Sequence, residues 1–104
     1  MTKTSIVVRK VDVSQILSLR WRMLRQDLPF ESAKFEGDEA PTTFHFASFD
    51  LDLPKGDALC CATFMFSPFE GEEAWQLRGM ATETDHQRRG LGGHLLKKAE
   101  RALR

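Results

Sequence analysis

Apolar and polar positions alternate along this chain in two different periods, and the change of period marks out short strands and two amphipathic helices. Ser5 to Arg9 is short and β-branched at Ile6, Val7 and Val8, which predicts a first strand. Asp12 or Ser14 is placed to cap a helix after it. Ile16, Leu17, Trp21, Leu24 and Leu28 then fall on one helical stripe, with Arg20, Arg22 and Arg25 mostly around it, and Pro29 marks the end of that helix. Glu31 to Pro41 is polar and interrupted, a loop or a short irregular helix. From Thr43 to Phe49 the period is two: Phe44, Phe46 and Ser48 oppose His45, Ala47 and Phe49, as in a strand. Ala58 to Phe66 is nearly continuous apolar and reads as a buried strand, joined to its predecessor by turn chemistry at Leu53-Pro54-Lys55-Gly56-Asp57. Pro68 to Glu73 is another turn. Ala74 to Thr82 makes a fourth strand, with Gly79 as a weak point or bulge. Leu91, Leu95, Leu96, Ala99 and Leu103 give the last helix its stripe, with Lys97, Lys98 and Arg101 outside it. The order strand, helix, irregular segment, three strands, helix predicts an α+β fold, a sheet packed by helices.

The junction between the fourth strand and the last helix carries the densest chemistry. Gln87-Arg88-Arg89-Gly90-Leu91-Gly92-Gly93 is a glycine-rich turn that runs straight into His94-Leu95-Leu96-Lys97-Lys98. Backbone N–H groups and the positive end of a helix dipole converge there, which suits a diphosphate. Arg88 and Arg89 add local positive charge. Two familiar phosphate loops are excluded by spacing. A Walker A loop needs Lys-Ser/Thr after its last glycine, and here His94-Leu95 comes next; a dinucleotide fingerprint needs a third glycine that is absent. The plainer alternative is that these glycines cap a helix and let it approach a strand closely.

Composition narrows the ligand class. Lysines plus arginines number 15, and so do aspartates plus glutamates, so an anion site must be local rather than the product of a global field. Nucleic acid and membrane surfaces are not expected partners, although Gln87 to Arg104 is a basic segment. No apolar run approaches a membrane span and the N-terminal residues have no signal-peptide pattern, which places the expected location in the cytoplasm. Cys60 and Cys61 are adjacent; in a strand they point to opposite faces, which disfavours a disulfide between them and predicts small core residues. No metal site is expected.

Leu77-Arg78-Gly79-Met80-Ala81-Thr82, four spacer residues, and Gln87-Arg88-Arg89-Gly90-Leu91-Gly92 resemble motif A of the GNAT superfamily of N-acetyltransferases. Gln87, Gly90 and Gly92 match its fixed positions, and the arginine-rich Leu19-Arg20-Trp21-Arg22-Met23-Leu24-Arg25 matches the family's first helix. The resemblance spans essentially all 104 residues, as one partial domain. It implies a mixed, mainly antiparallel sheet and acetyl-CoA as cosubstrate, with Met80, Ala81 and Thr82 facing the pantetheine arm and Gln87, Arg88, Arg89, Gly90, Leu91, Gly92 and Gly93 at the phosphates. A Cβ at Gly90 or Gly92 would push the phosphate from the amides.

The implied reaction is attack of a primary amine on a thioester. An amine of pKa ~10.4 is only about 0.04% neutral at pH 7, so a proton must be removed. Some relatives use a glutamate near the position of Gln76, which cannot act as a base. Glu83 and His45 are the candidates here, with a solvated carboxylate and a rim histidine as their plainer alternatives; His94 is read as solvated. Glu36 and Asp38 can bind a cationic acceptor, or simply solvate their loop. The family's usual thiolate-protonating tyrosine has no counterpart, since the chain holds no tyrosine. The resemblance also implies an end at the motif A helix, with roughly 40–50 further residues in a complete member. The acceptor is a small-molecule or peptide amine. A homodimer or a separate C-terminal half-domain can complete the sheet, in which case the chain is a non-catalytic CoA-binding module.

Overall fold

Strand-forming residues at alternate positions build the frame. In the computed structural model, which describes residues 5–53, 56–66, 74–87 and 90–103, four strands form one antiparallel sheet. They are β1 (Ile6–Val11), β2 (Thr43–Asp50), β3 (Cys60–Phe66) and β4 (Trp75–Thr82), in that spatial order. Helix α1 (Leu17–Leu24) covers one face and α2 (Leu91–Leu103) the other. The expected turns at Pro54-Lys55 and Pro68 to Glu73 lie outside the described residues.

The period of two sorts each strand between two cores. Phe46, Cys60, Ala62 and Phe64 pack against Leu91, Leu95 and Ala99 of α2. Ala47, Cys61 and Ala81 pack with Val13, Ile16 and Leu19 on the α1 side. Leu95 is fully buried, and a buried leucine contributes about 1.5–3 kcal/mol. Cys60 and Cys61 therefore lie in different cores as free thiols, in keeping with their alternation. Burial pushes both thiols up, Cys61 to about 12, with the nearby Arg20 charge pulling the other way.

The first helix departs from its expected stripe. Asp12 caps a single 3-10 turn at Val13–Gln15: its carboxylate accepts from the Ser14 N–H at 3.3 Å, and the Gln15 side chain returns to the Asp12 N–H at 3.1 Å. Helix α1 then ends at Leu24, a turn before Pro29, and Leu24 and Leu28 are 45% and 44% exposed. The buried face is instead Ile16, Leu19 and Arg20, with Met23 partly buried beside them. Between α1 and β2 the chain forms only one 3-10 turn, Phe30–Ala33, within the segment whose sequence reads as a loop or short irregular helix.

Strand β4 is the sheet edge, and it is interrupted. Cys61 pairs with Ala81 and Thr63 with Arg78, so Gly79 and Met80 together oppose Ala62. This is a β-bulge, and Gly79 takes a φ of +59°, which fits the expectation at that glycine. The extra residue slips the strand's phase. Before it, Trp75 and Leu77 lie over Phe66 and Phe64 on the α2 side, and Arg78 lies opposite Thr63 on the α1 side. After it, Met80 packs on the α2 side and Ala81 on the α1 side. No helix among the described residues is long and apolar enough to cross a membrane.

Candidate functional site

A cleft of about 390 Å³ opens between the C-terminal half of β4 and the first turn of α2. Its walls are Met80, Ala81 and Thr82 from the strand, His86 and Gln87 from the connection, and Gly90, Leu91 and Gly92 from the helix start. All but three of the residues the sequence singled out for cofactor binding thus line one space. Gly93 is the next helical residue and is exposed, whereas Arg88 and Arg89 lie outside the described residues. The Gln87 side-chain amide donates to the Thr82 carbonyl at 3.2 Å, tying the connection to the strand end.

The helix start is shaped by its glycines. Gly90 adopts a φ of +74°, a left-handed conformation costly for other residues, and its carbonyl accepts the His94 N–H at 3.1 Å. Gly92 is needed for a different reason: a Cβ there would lie 2.6 Å from Met80 Cε, so the glycine lets α2 approach β4. Beyond its chain neighbours and the helix's own backbone, a Cβ at Gly90 or Gly93 meets no atom of the described residues within 4 Å. The first turn contains no acidic residue, and Gly90 has no side chain to cap it. Among the described residues, no side-chain anion is bonded to the orphan N–H groups at the positive helix end. The arrangement can hold an anionic group, and the adjoining strand edge can pair an extended amide-bearing arm through main-chain hydrogen bonds.

The candidate bases are placed elsewhere. Glu83 comes directly after β4, and its carboxylate accepts from Arg22 Nη1 at 2.5 Å. With Ser18, Leu19, Arg22 and Leu59 it walls a larger cavity, about 500 Å³, on the α1 side. His94 sits in the first turn of α2, half-buried. His45 is not a rim residue. It is buried, with Nε2 2.8 Å from the Asp38 carbonyl and Nδ1 2.7 Å from Thr63 Oγ1. Both ring nitrogens are engaged within the fold, and His45 does not line the cleft. Among the proposed acceptor-binding carboxylates, Asp38 is likewise buried and accepts from Arg20 Nη1 and from the Phe35 N–H, both at 2.6 Å. It is the counter-ion of Arg20 and faces no solvent. Glu36 is exposed.

These contacts belong to one network that sequence reasoning missed. Arg20, fully buried, donates to Asp38, to the Ala33 carbonyl at 2.8 Å and to Thr63 Oγ1 at 2.6 Å. Thr63 stands opposite His45 in the β2–β3 register. With the Asp38 carbonyl accepting from His45 Nε2–H, the Thr63 hydroxyl donates to Nδ1, and the loop of bonds closes through Asp38. The Phe35 ring lies over the Arg20 guanidinium at 4.1 Å and packs on Gly79, where a Cβ would come within 2.7 Å of Phe35 Cε2. The network therefore abuts the β4 bulge. A signal was available: Ile16, Leu19, Arg20 and Met23 share an i, i+3, i+4, i+7 phase that buries Arg20.

Comparison with known proteins supplies the family and agrees with the fold. Residues 11–104 match the acetyltransferase (GNAT) family. The uncharacterized N-acetyltransferase YitI of Bacillus subtilis (strain 168) is 31% identical over 99 residues, covering 92% of this chain and 64% of that protein. The chain thus spans less than two thirds of the length of that curated relative. Among solved structures, the glucosamine N-acetyltransferase region of a fungal multi-domain GH3 β-N-acetylglucosaminidase is similar over 100% of this chain and 13% of that one, with a TM-score of 0.75 and 14% identity. An aminoglycoside 6′-N-acetyltransferase complexed with coenzyme A is similar over 92% of this chain and 54% of that one, with a TM-score of 0.66 and 16% identity. At such identities the structures speak for the fold. The match along residues 11–104 goes further: the chain belongs to the GNAT family of acetyltransferases.

Proposed function

We propose that this chain is a partial N-acetyltransferase domain, residues 1–104, that binds acetyl-CoA in the cleft between β4 and α2 for acetyl transfer to a primary amine. The observation that carries the reading is the first turn of α2: a helix start with a left-handed glycine, no acidic side chain, and open space in front of Gly90 and Gly93. The cofactor supplies an activated acetyl thioester. Leu91, Gly92 and Gly93 offer their N–H groups to its diphosphate, with Arg88 and Arg89 as neighbouring cations in the sequence. Met80, Ala81 and Thr82 offer the strand edge to its amide-bearing arm, and Gln87 braces the two elements. Relatedness to enzymes that include one solved with coenzyme A supports this ligand.

With the phosphates at α2, the arm runs back along β4 and its reacting end lies near the bulge at Gly79. Glu83 is four residues further along, about 13 Å at strand rise, so it sits at the phosphate end and is not placed to deprotonate an acceptor. Glu36, exposed and next to Phe35, is a carboxylate of this segment that can meet an amine.

The reading is tested by melting the chain with and without ligand. Acetyl-CoA at a hundredfold over its Kd adds about 2.7 kcal/mol, an upward shift in Tm of order ten degrees for a domain of this size. No shift with either CoA or acetyl-CoA would remove the claim. A second reading is favoured by the free outer edge of β4 and the engaged Glu83 and His45: a CoA-binding module that completes its sheet with a second copy or a partner chain. Release of free thiol from acetyl-CoA in the presence of amines, measured alongside light scattering, separates the two. Turnover by a monomer favours the enzyme, and a silent dimer the module.

A further inference from the structure

The α1 side of the bulge holds an excess of positive charge that no ion pair among the described residues neutralises. Three guanidiniums surround the ring of Phe35: Arg20 at 4.1 Å, Arg25 at 5.5 Å and Arg78 at 5.6 Å from its centroid. Arg20 is matched by Asp38. Arg25 and Arg78 form no ion pair and no side-chain hydrogen bond among the described residues, and both reach solvent. The remaining carboxylates of the neighbouring segment do not compensate them: Glu39 pairs with Lys34 at 2.8 Å, and Glu31 and Glu36 pair with neither arginine. In a chain whose net charge is zero, this is a local surplus of two cations set around one aromatic ring. Like charges gathered in this way repel one another, and a bound oxyanion relieves that repulsion.

The position gives the surplus a meaning. Arg78 immediately precedes Gly79 on β4 and, by its pairing with Thr63, faces the α1 side. Arg25 comes just after the last residue of α1 and reaches the same ring from the opposite element. On the reading proposed above, on which this inference rests, the reacting end of the cofactor lies at this step of β4, so an acceptor must approach beside Arg78, Phe35 and Arg25. We propose that Arg25 and Arg78 bind an anionic group of the acceptor, and that the substrate class is therefore a primary amine that also carries a carboxylate or a phosphate. Guanidinium forks suit both groups, and the aromatic ring holds them preorganised.

The test uses three matched amines: 5-aminopentanoate, 3-aminopropyl phosphate and the neutral 5-aminopentanamide. Calorimetric titration of the full chain, with CoA bound and without it, should give at least tenfold tighter binding of an anionic amine than of the amide, weakening with salt. Which anion binds better identifies carboxylate or phosphate. Arg78→Gln and Arg25→Gln should each bring the ratio to about threefold or less while Tm and CoA affinity stay unchanged, and Arg78→Lys should restore part of it. Equal binding of all three amines, binding of none at millimolar concentration, or an intact preference in both glutamine variants would overturn the proposal. Because the preference is also read on the chain alone, failure of CoA to bind counts against the cofactor reading and leaves this result standing by itself.

Discussion

Replacing Asp38 by asparagine tests whether the buried network holds this fold as described. Both side chains of the Arg20–Asp38 pair are wholly inaccessible, with Nη1 and Oδ2 2.6 Å apart. Asparagine is nearly isosteric. It can keep its oxygen toward Arg20 Nη1 and the Phe35 N–H, but its NH2 group then faces Arg20 Nη2, which lies 3.4 Å from Asp38 Oδ1. Two donors oppose each other, and a buried guanidinium loses its counter-ion. Breaking a buried pair from one side costs about 3–5 kcal/mol. For a domain near 100 residues that is a fall in Tm of about 12–20 °C. Thermal and urea melts monitored by circular dichroism read it, provided the transition is two-state. Removing both charges, as Arg20→Met with Asp38→Asn, should recover part of the loss, because the desolvated cation is gone. A loss below about 1 kcal/mol in Asp38→Asn, or a double variant worse than the sum of the singles, would refute the assignment of Asp38 as the counter-ion of Arg20.

Backbone geometry and burial set two further outcomes. Gly90→Ala, at a φ of +74°, should lower stability by about 1–2 kcal/mol, whereas Gly93→Ala, with nothing within 4 Å, should raise it by up to about 1 kcal/mol through helix propensity; opposite shifts in Tm check the pair. Burial raises both thiols above their ordinary 9.0, Cys61 to about 12, so the stability they support is complete below pH 9 and is lost as pH climbs toward 12. Melts between pH 8 and 10.5 should show this fall, shallower in Cys61→Ala.

Much of the frame was legible because it depends on local alternation. The period of two from Thr43 onward, the apolar run ending at Phe66, and the stripe of Leu91, Leu95 and Ala99 each specify an element without reference to anything distant. The glycine turn was legible for the same reason. What failed was tertiary. The stripe through Leu24 and Leu28 looks continuous, yet the helix stops at Leu24, and the Trp21 indole N–H donates to the Leu28 carbonyl beyond it. Arg20 reads as peripheral because charge predicts exposure unless a partner is known, and its partners lie 18 and 43 positions away in Asp38 and Thr63. The same network removes His45 and Asp38 from the candidate site. Arg25 and Arg78 gave no signal, since only the folded chain brings them to one ring.

The bulge at Gly79 makes regular pairing and useful orientation incompatible along β4. Pairing Gly79 itself with Thr63 would give β3 and β4 an uninterrupted ladder, a gain by the usual measure of sheet quality. Held to the register of Met80 and Ala81, the upstream residues would invert: Gln76 and Arg78 would turn toward the α2 face, and Trp75 and Leu77 would change sides with them. The irregularity reconciles two phases of one sequence: Gln76 and Arg78 keep the α1 side while Met80 keeps the apolar α2 side, whereas unbroken alternation would put all three on one face.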